Sequence, residues 1–129
     1  MVAGPSSTTT DPYGDADRPA VVECGDLSTR EVNRAVRAAI AGGTNRIRLI
    51  HPAARHNLGV ALPEGVVLTI EGSAGYYAAG LNDGASVNIR GSVGWGAAES
   101  MRDGTVVIDG DAGNAVAASI RAGTVVVRY

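Results

Sequence analysis

The chain has 129 residues, 45% of them hydrophobic, and sets 11 Lys and Arg against 13 Asp and Glu for a net charge of −2. That length suits about one domain, and the charge balance offers no surplus of cations to a nucleic-acid backbone or an anionic membrane surface. Eighteen glycines against five prolines is about twice the usual glycine share, which points to a repeated structural demand for glycine rather than to collagen or proline-rich disorder.

Residues 1–22 open on MVAGPSSTTT and continue rich in Ser, Thr, Pro, Gly and Asp without hydrophobic periodicity, the composition of a flexible tail. The opening residues have neither the cationic start nor the apolar core of a secretory signal. Apolar runs such as Val125–Val127 fall far short of the roughly 20 residues that span a bilayer. A cytoplasmic location, with no membrane and no nucleic acid as partner, is the expectation. The single Cys24 excludes a disulfide within the chain.

A helix–strand lead-in is expected over residues 23–61. Ser28 followed by Glu31 has capping-box spacing, and Val32, Ala35, Val36, Ala39 and Ile40 recur on one helical face, predicting a helix over Thr29–Ala41. Gly42 and Gly43 then suit a helix end. Arg46–Ile50 has the length and branching of a strand, closed by Pro52.

From residue 62 to 129 the chain repeats every 19 residues. Gly72-Ser-Ala-Gly75, Gly91-Ser-Val-Gly94 and Gly110-Asp-Ala-Gly113 mark the period. Leu68, Val87, Val106 and Val125 keep one offset in each unit, and Ile70, Ile89, Ile108 and Val127 keep another. A unit this short cannot enclose a core alone and must stack on its neighbours. Residues two apart on a strand share a face, so the two sets become inward columns of a mainly β fold. The prediction is a right-handed parallel β-helix, a single-stranded solenoid of 19-residue coils, preceded by the short α/β segment. The period differs from the 18 residues of a left-handed hexapeptide helix, whose apolar hexad is also missing. Gly72, Gly75, Gly91, Gly94, Gly110 and Gly113 are assigned to the corners, where a Cβ would clash or demand positive φ. A valine at Gly94 is therefore expected to unfold the solenoid.

These residues, Gly72-Ser-Ala-Gly75-Tyr76-Tyr77-Ala78-Ala79-Gly80 followed by the two later glycine pairs, together with the helix Arg30-Glu31-Val32-Asn33-Arg34-Ala35, resemble the glycine-rich β-helix family found in glutamate synthase and in one of the subunits of formylmethanofuran dehydrogenase. The match covers residues 23–129 and is closest to the free-standing subunit of N-methylglutamate synthase-like complexes. The resemblance implies a non-catalytic scaffold or channel-forming subunit of an amidotransferase complex in nitrogen metabolism. It also implies two partners, a glutamine amidotransferase-like subunit and an FMN-binding, glutamate synthase-like subunit. FMN and an iron–sulfur cluster would sit on those partners, with no cofactor on this chain. Because such subunits carry more coils, the β-helix is expected to be incomplete at its C-terminal end, where further coils, a partner or a second copy would cover it. The alternative is a stand-alone β-helix that binds a protein or a small ligand.

No constellation for catalysis or metal binding emerges from the residues. Cys24 lies more than twenty residues from the start, without the N-terminal position that the resembled glutaminases use. His51 and His56 lack further ligands at metal spacing. Gly94-Trp95-Gly96 belongs to the repeat and opens no strand–helix nucleotide site. Two surface features are interface candidates. Arg46 and Arg48 share a strand face and, with His51, Arg55 and His56, could form a basic patch. Tyr76 and Tyr77 stand one period before Trp95, an aromatic stripe that fits either an interface or packing between coils.

Overall fold

Alternating apolar residues with β-branched side chains build six strands, and a computed structural model describes residues 19–128. The strands are β1 (Ala20–Glu23), β2 (Arg46–Ile50), β3 (Val67–Glu71), β4 (Asp83–Ile89), β5 (Asp103–Ile108) and β6 (Thr124–Val127), with one helix, α1 (Thr29–Ala41), between β1 and β2. All neighbouring pairs are parallel and the sheet order is β1 to β6 in sequence. The result is a mainly β, parallel solenoid of about four turns. No described helix is long and apolar enough to cross a membrane. The tail expected over 1–22 lies, up to residue 18, outside the described residues, while residues 20–22 belong to β1.

The register realises the two inward columns. Ile47, Leu68, Val87, Val106 and Val125 stack in one; Leu49, Ile70, Ile89, Ile108 and Val127 stack in the other. In the first four strands of these columns every side chain is fully or almost fully buried, and the half-buried Val125 and Val127 pack against the same core. β1 and β2 also pair into this sheet, although their coils are longer than the later ones: Ala20 pairs with Ile47 and Ile47 with Leu68.

Opposite the sheet, each coil carries a face of a kind that the periodicity does not announce. Asn57, Tyr77, Gly96 and Ala115 form one column of left-handed residues, Gly59, Ala79, Ala98 and Ala117 a second, and Ala61, Leu81, Ser100 and Ser119 a third, all with φ between 55° and 76°. Left-handed backbone costs about 1–2 kcal/mol for each L-residue. The cost is offset by a ladder between coils, in which adjacent columns donate in opposite directions. Asn57 N–H and Tyr77 N–H reach forward to the carbonyls of Tyr76 and Trp95, both at 2.8 Å, while Ala79 N–H and Ala98 N–H reach back to Leu58 and Ala78 at 2.9 and 2.8 Å. Between the first two columns Leu58, Ala78 and Ala97 are buried, as are Leu62, Asn82 and Met101 just after the third. The Asn82 amide donates to the carbonyls of Ala85 and Asp103 at 2.8 and 3.1 Å, tying this face to the start of the next strands.

α1 takes the place of that face below the first coil. It begins as expected, with Ser28 Oγ accepting from Glu31 N–H at 3.1 Å and Glu31 Oε1 accepting from Ser28 N–H at 2.9 Å, a reciprocal cap that contributes about 1 kcal/mol. Val32 and Val36 are buried beneath the solenoid core. On the same helix, Asn33 accepts from Gly59 N–H at 3.2 Å and donates to the Asn57 carbonyl at 2.8 Å, and Arg37 donates to the Val60 carbonyl at 3.4 Å. Side chains of α1 thus satisfy the backward-facing backbone groups that later coils satisfy with backbone.

The repeat glycines serve close stacking more than turning. Of the six, Gly72 has positive φ, at 143°. A methyl at Gly91 would stand 2.5 Å from the Gly72 carbonyl carbon and 2.6 Å from Ser73 N, and one at Gly110 would meet Gly91 backbone at 2.7 Å. A methyl at Gly94 would instead meet the Tyr76 ring at 2.5 Å, with backbone no nearer than 3.2 Å. The Tyr76 ring is exposed and can swing away, so the expected collapse on substituting Gly94 moves to Gly91. Gly91→Val is expected to cost more than about 3 kcal/mol or prevent folding, and Gly94→Val about 1–2 kcal/mol, as measured by urea unfolding of the two variants side by side.

Candidate functional site

At the corner that follows each glycine pair, residues one coil apart point outward side by side, and here the coils carry His56, Tyr76 and Trp95. The imidazole of His56 stacks on Tyr76 at 4.5 Å between centroids and 21° between planes. Tyr76 stacks on Trp95 at 5.8 Å and 23°, and Tyr77 meets Tyr76 edge-on at 6.5 Å. Each ring also lies over a glycine of the following coil, His56 over Gly75, Tyr76 over Gly94 and Trp95 over Gly113, so the missing side chains make room for the rings. His56 Nδ1 accepts the Tyr76 N–H at 2.8 Å, which places the proton of the neutral ring on Nε2. Stacked pairs of this kind contribute about 0.5–1.5 kcal/mol each.

The faces of the aromatic stripe pack between coils, and its edges stay open. Tyr76, Tyr77 and Trp95 are 46%, 45% and 57% exposed, and Leu81 beside them 46%. Together they make an apolar strip on a backbone held by hydrogen bonds to coils on either side. The neighbouring corner is polar, with Ser73 Oγ accepting from Ser92 N–H and Ser92 Oγ from Asp111 N–H, both at 3.0 Å.

The basic residues distribute differently. Arg46 and Arg48 do lie outward on β2, both exposed. Arg48 pairs with Glu71 at 3.1 Å, and Arg90 on the next coil reaches the same carboxylate at 3.4 Å, so the outer sheet face alternates in charge from coil to coil. His51 Nδ1 lies 2.6 Å from Glu23 Oε1. The Gly25 N–H and then His51 hold the Glu23 carboxyl below its ordinary range. His56 belongs to the aromatic column. Arg55 turns to the interior side of the loop and donates to the carbonyls of Cys24, Gly25, Leu27, His51 and Pro52, clamping the β1–α1 connection onto the turn after β2. Composition alone could not reveal this, because three of those carbonyls come from residues about 30 positions upstream.

Cys24 is buried, and burial pushes its thiol above the usual range, which disfavours the thiolate needed for nucleophilic chemistry. Among the described residues no group of three or more His, Cys, Asp and Glu side chains is placed to hold a metal ion. What the exposed site offers chemically is stacking edges and apolar contact. The feature that sequence reading missed is the left-handed face itself. Its one visible trace is the recurrence of alanine, one period apart, at Ala79, Ala98 and Ala117.

No protein-family model, curated protein or solved structure matches the chain at a significant level. The contrast between the two kinds of arginine gives a direct check. Arg55→Met strands several loop carbonyls and is expected to cost about 2–4 kcal/mol, whereas Arg48→Met, at an exposed ion pair, should cost less than about 1 kcal/mol. Thermal unfolding of both variants in the same buffer measures the difference.

Proposed function

We propose that this chain is a non-catalytic scaffold subunit of a glutamate synthase-like amidotransferase complex, and that it contacts its partners through the strip of Tyr76, Tyr77, Leu81 and Trp95. The single observation that carries the binding role is that strip. Three aromatic side chains with open edges stand on stacked coils, and rigid Tyr and Trp anchors of this kind dominate the energetics of protein interfaces. The assignment to an amidotransferase complex rests on the resemblance of the three glycine pairs and the Gly75-Tyr76-Tyr77-Ala78-Ala79-Gly80 corner to the glycine-rich β-helix of glutamate synthase. In that reading one partner is the glutamine amidotransferase-like subunit and the other the FMN-binding subunit of N-methylglutamate synthase type. FMN and an iron–sulfur cluster reside on those partners, and the solenoid helps hold the route along which ammonia or methylamine passes between them.

Sedimentation velocity of the chain mixed with the two subunits from the same organism tests the proposal. A joint boundary is expected, and Trp95→Ala should weaken it at least about tenfold while leaving the melting of the isolated chain within a few degrees. The chain sedimenting by itself at tens of micromolar, or turning over glutamine unaided, would remove this reading.

A further inference from the structure

Beside the aromatic column, the left-handed face carries a notch of about 290 Å³, at the lower limit for a small-molecule pocket and of a size for one long side chain. Gly80 forms its floor, because the position that carries Val60 one coil below and Glu99 one coil above has no side chain there. Tyr77 and Leu81, two of the exposed left-handed residues, make its walls. Val60 closes one end and Glu99 the other. The Tyr77 ring and the Glu99 carboxylate converge over Gly96, since a methyl at that glycine would stand 2.5 Å from Cδ1 of Tyr77 and 3.3 Å from Oε2 of Glu99.

The Glu99 carboxylate makes no hydrogen bond or ion pair with any described residue, and Glu99 is half-buried. The nearest basic group along the chain, Arg102, lines a separate depression with Ala61, Leu81 and Asp83. A carboxylate without a counter-ion, an aromatic ring next to it and an apolar trough leading to both are complementary to one chemistry. A cation on an aliphatic stem can lay its methylenes along Val60 and Leu81 while its head meets carboxylate and ring together.

We infer that this notch receives a lysine or arginine side chain of a partner protein, which docks alongside the Trp95 strip. The inference deepens the scaffold reading and rests on it for the identity of the partner. The notch itself can be tested on the chain alone.

The probes are N-acetyl-lysine methylamide, its arginine counterpart and the neutral norleucine analogue, each titrated into the 15N-labelled full chain and followed at the backbone amides of Leu81, Glu99 and Ser100. Both cationic probes should give saturable shifts confined to these amides, and norleucine should not. Glu99→Gln should weaken the response about tenfold. Gly80→Ala should weaken it, because a methyl there meets nothing nearer than the Tyr77 carbonyl at 3.4 Å and so raises the floor of the notch without disturbing the coil. The melting temperature of each variant reports that the fold is kept.

Equal shifts from norleucine, or no saturable shift from any probe, would overturn the inference. Methylammonium saturating the same amides as tightly as the lysine probe would also overturn it, in favour of a free amine as the occupant. The sedimentation experiment separates the two proposals. A complex that forms equally well with Glu99→Gln sinks the notch and leaves the scaffold, while cationic probes binding to a chain that joins neither partner does the reverse.

Discussion

Stacking of one coil on the next at about 4.8 Å governs nearly everything else in this molecule. At that spacing a side chain has, as neighbours, the residues at its own offset one period before and after it. Each offset therefore becomes a column whose members must suit one another. The aliphatic columns fill the core, the glycine column of Gly72, Gly91 and Gly110 lets backbone approach backbone, and the outward column of Ile50, Glu71, Arg90, Asp109 and Arg128 alternates in charge once it leaves its apolar first member. A like charge repeated at this offset would face itself from coil to coil, and the alternation avoids that repulsion.

The same spacing explains how so many L-residues are held in left-handed backbone. A lone residue of that kind is a strained exception. Apart from His51, Ala53 and Ala54 in the turn after β2, the described ones occur in three columns shared with Gly59 and Gly96, and most of these are held by N–H bonds to a neighbouring coil at 2.8–3.0 Å. The strain is distributed along a ladder of bonds between coils. It also has a use, because consecutive outward residues on this face are spread apart at Tyr77 and Leu81, and the gap between them is what the notch occupies. A flat strand at the same place would have closed it.

The two ends of the solenoid differ in construction. Below the first coil, Asn33 and Arg37 of α1 meet the backward-facing groups of Asn57, Gly59 and Val60, and Arg55 fastens the loop that carries α1. Helix side chains can do this because the amide of asparagine offers both donor and acceptor at nearly the separation of a peptide group. At the other end β6 pairs with β5, and among the described residues nothing pairs with its far edge.

What repeats in this protein is legible from the order of its residues. A period of 19 residues in the glycines and in Leu68, Val87, Val106 and Val125 specifies parallel coils and their register, because a slip of one residue would turn every inward side chain outward. The extent of α1 and its reciprocal cap were equally legible, since both depend on residues within a few positions of one another. The contacts that outward side chains and loop residues make emerged from the packing. Whether Tyr76 packs or projects follows from His56 below, Trp95 above and the glycine over which its ring lies, and it does both. Arg55 reads as one more surface cation until the carbonyls of Cys24 and Leu27 are brought to it. Glu99 becomes a candidate binding group through the empty place above Gly80 and the ring of Tyr77 from the coil before. These contacts depend on where outward side chains turn and on how loops fold back, which the period does not specify, so packing of the coils was needed to reveal them.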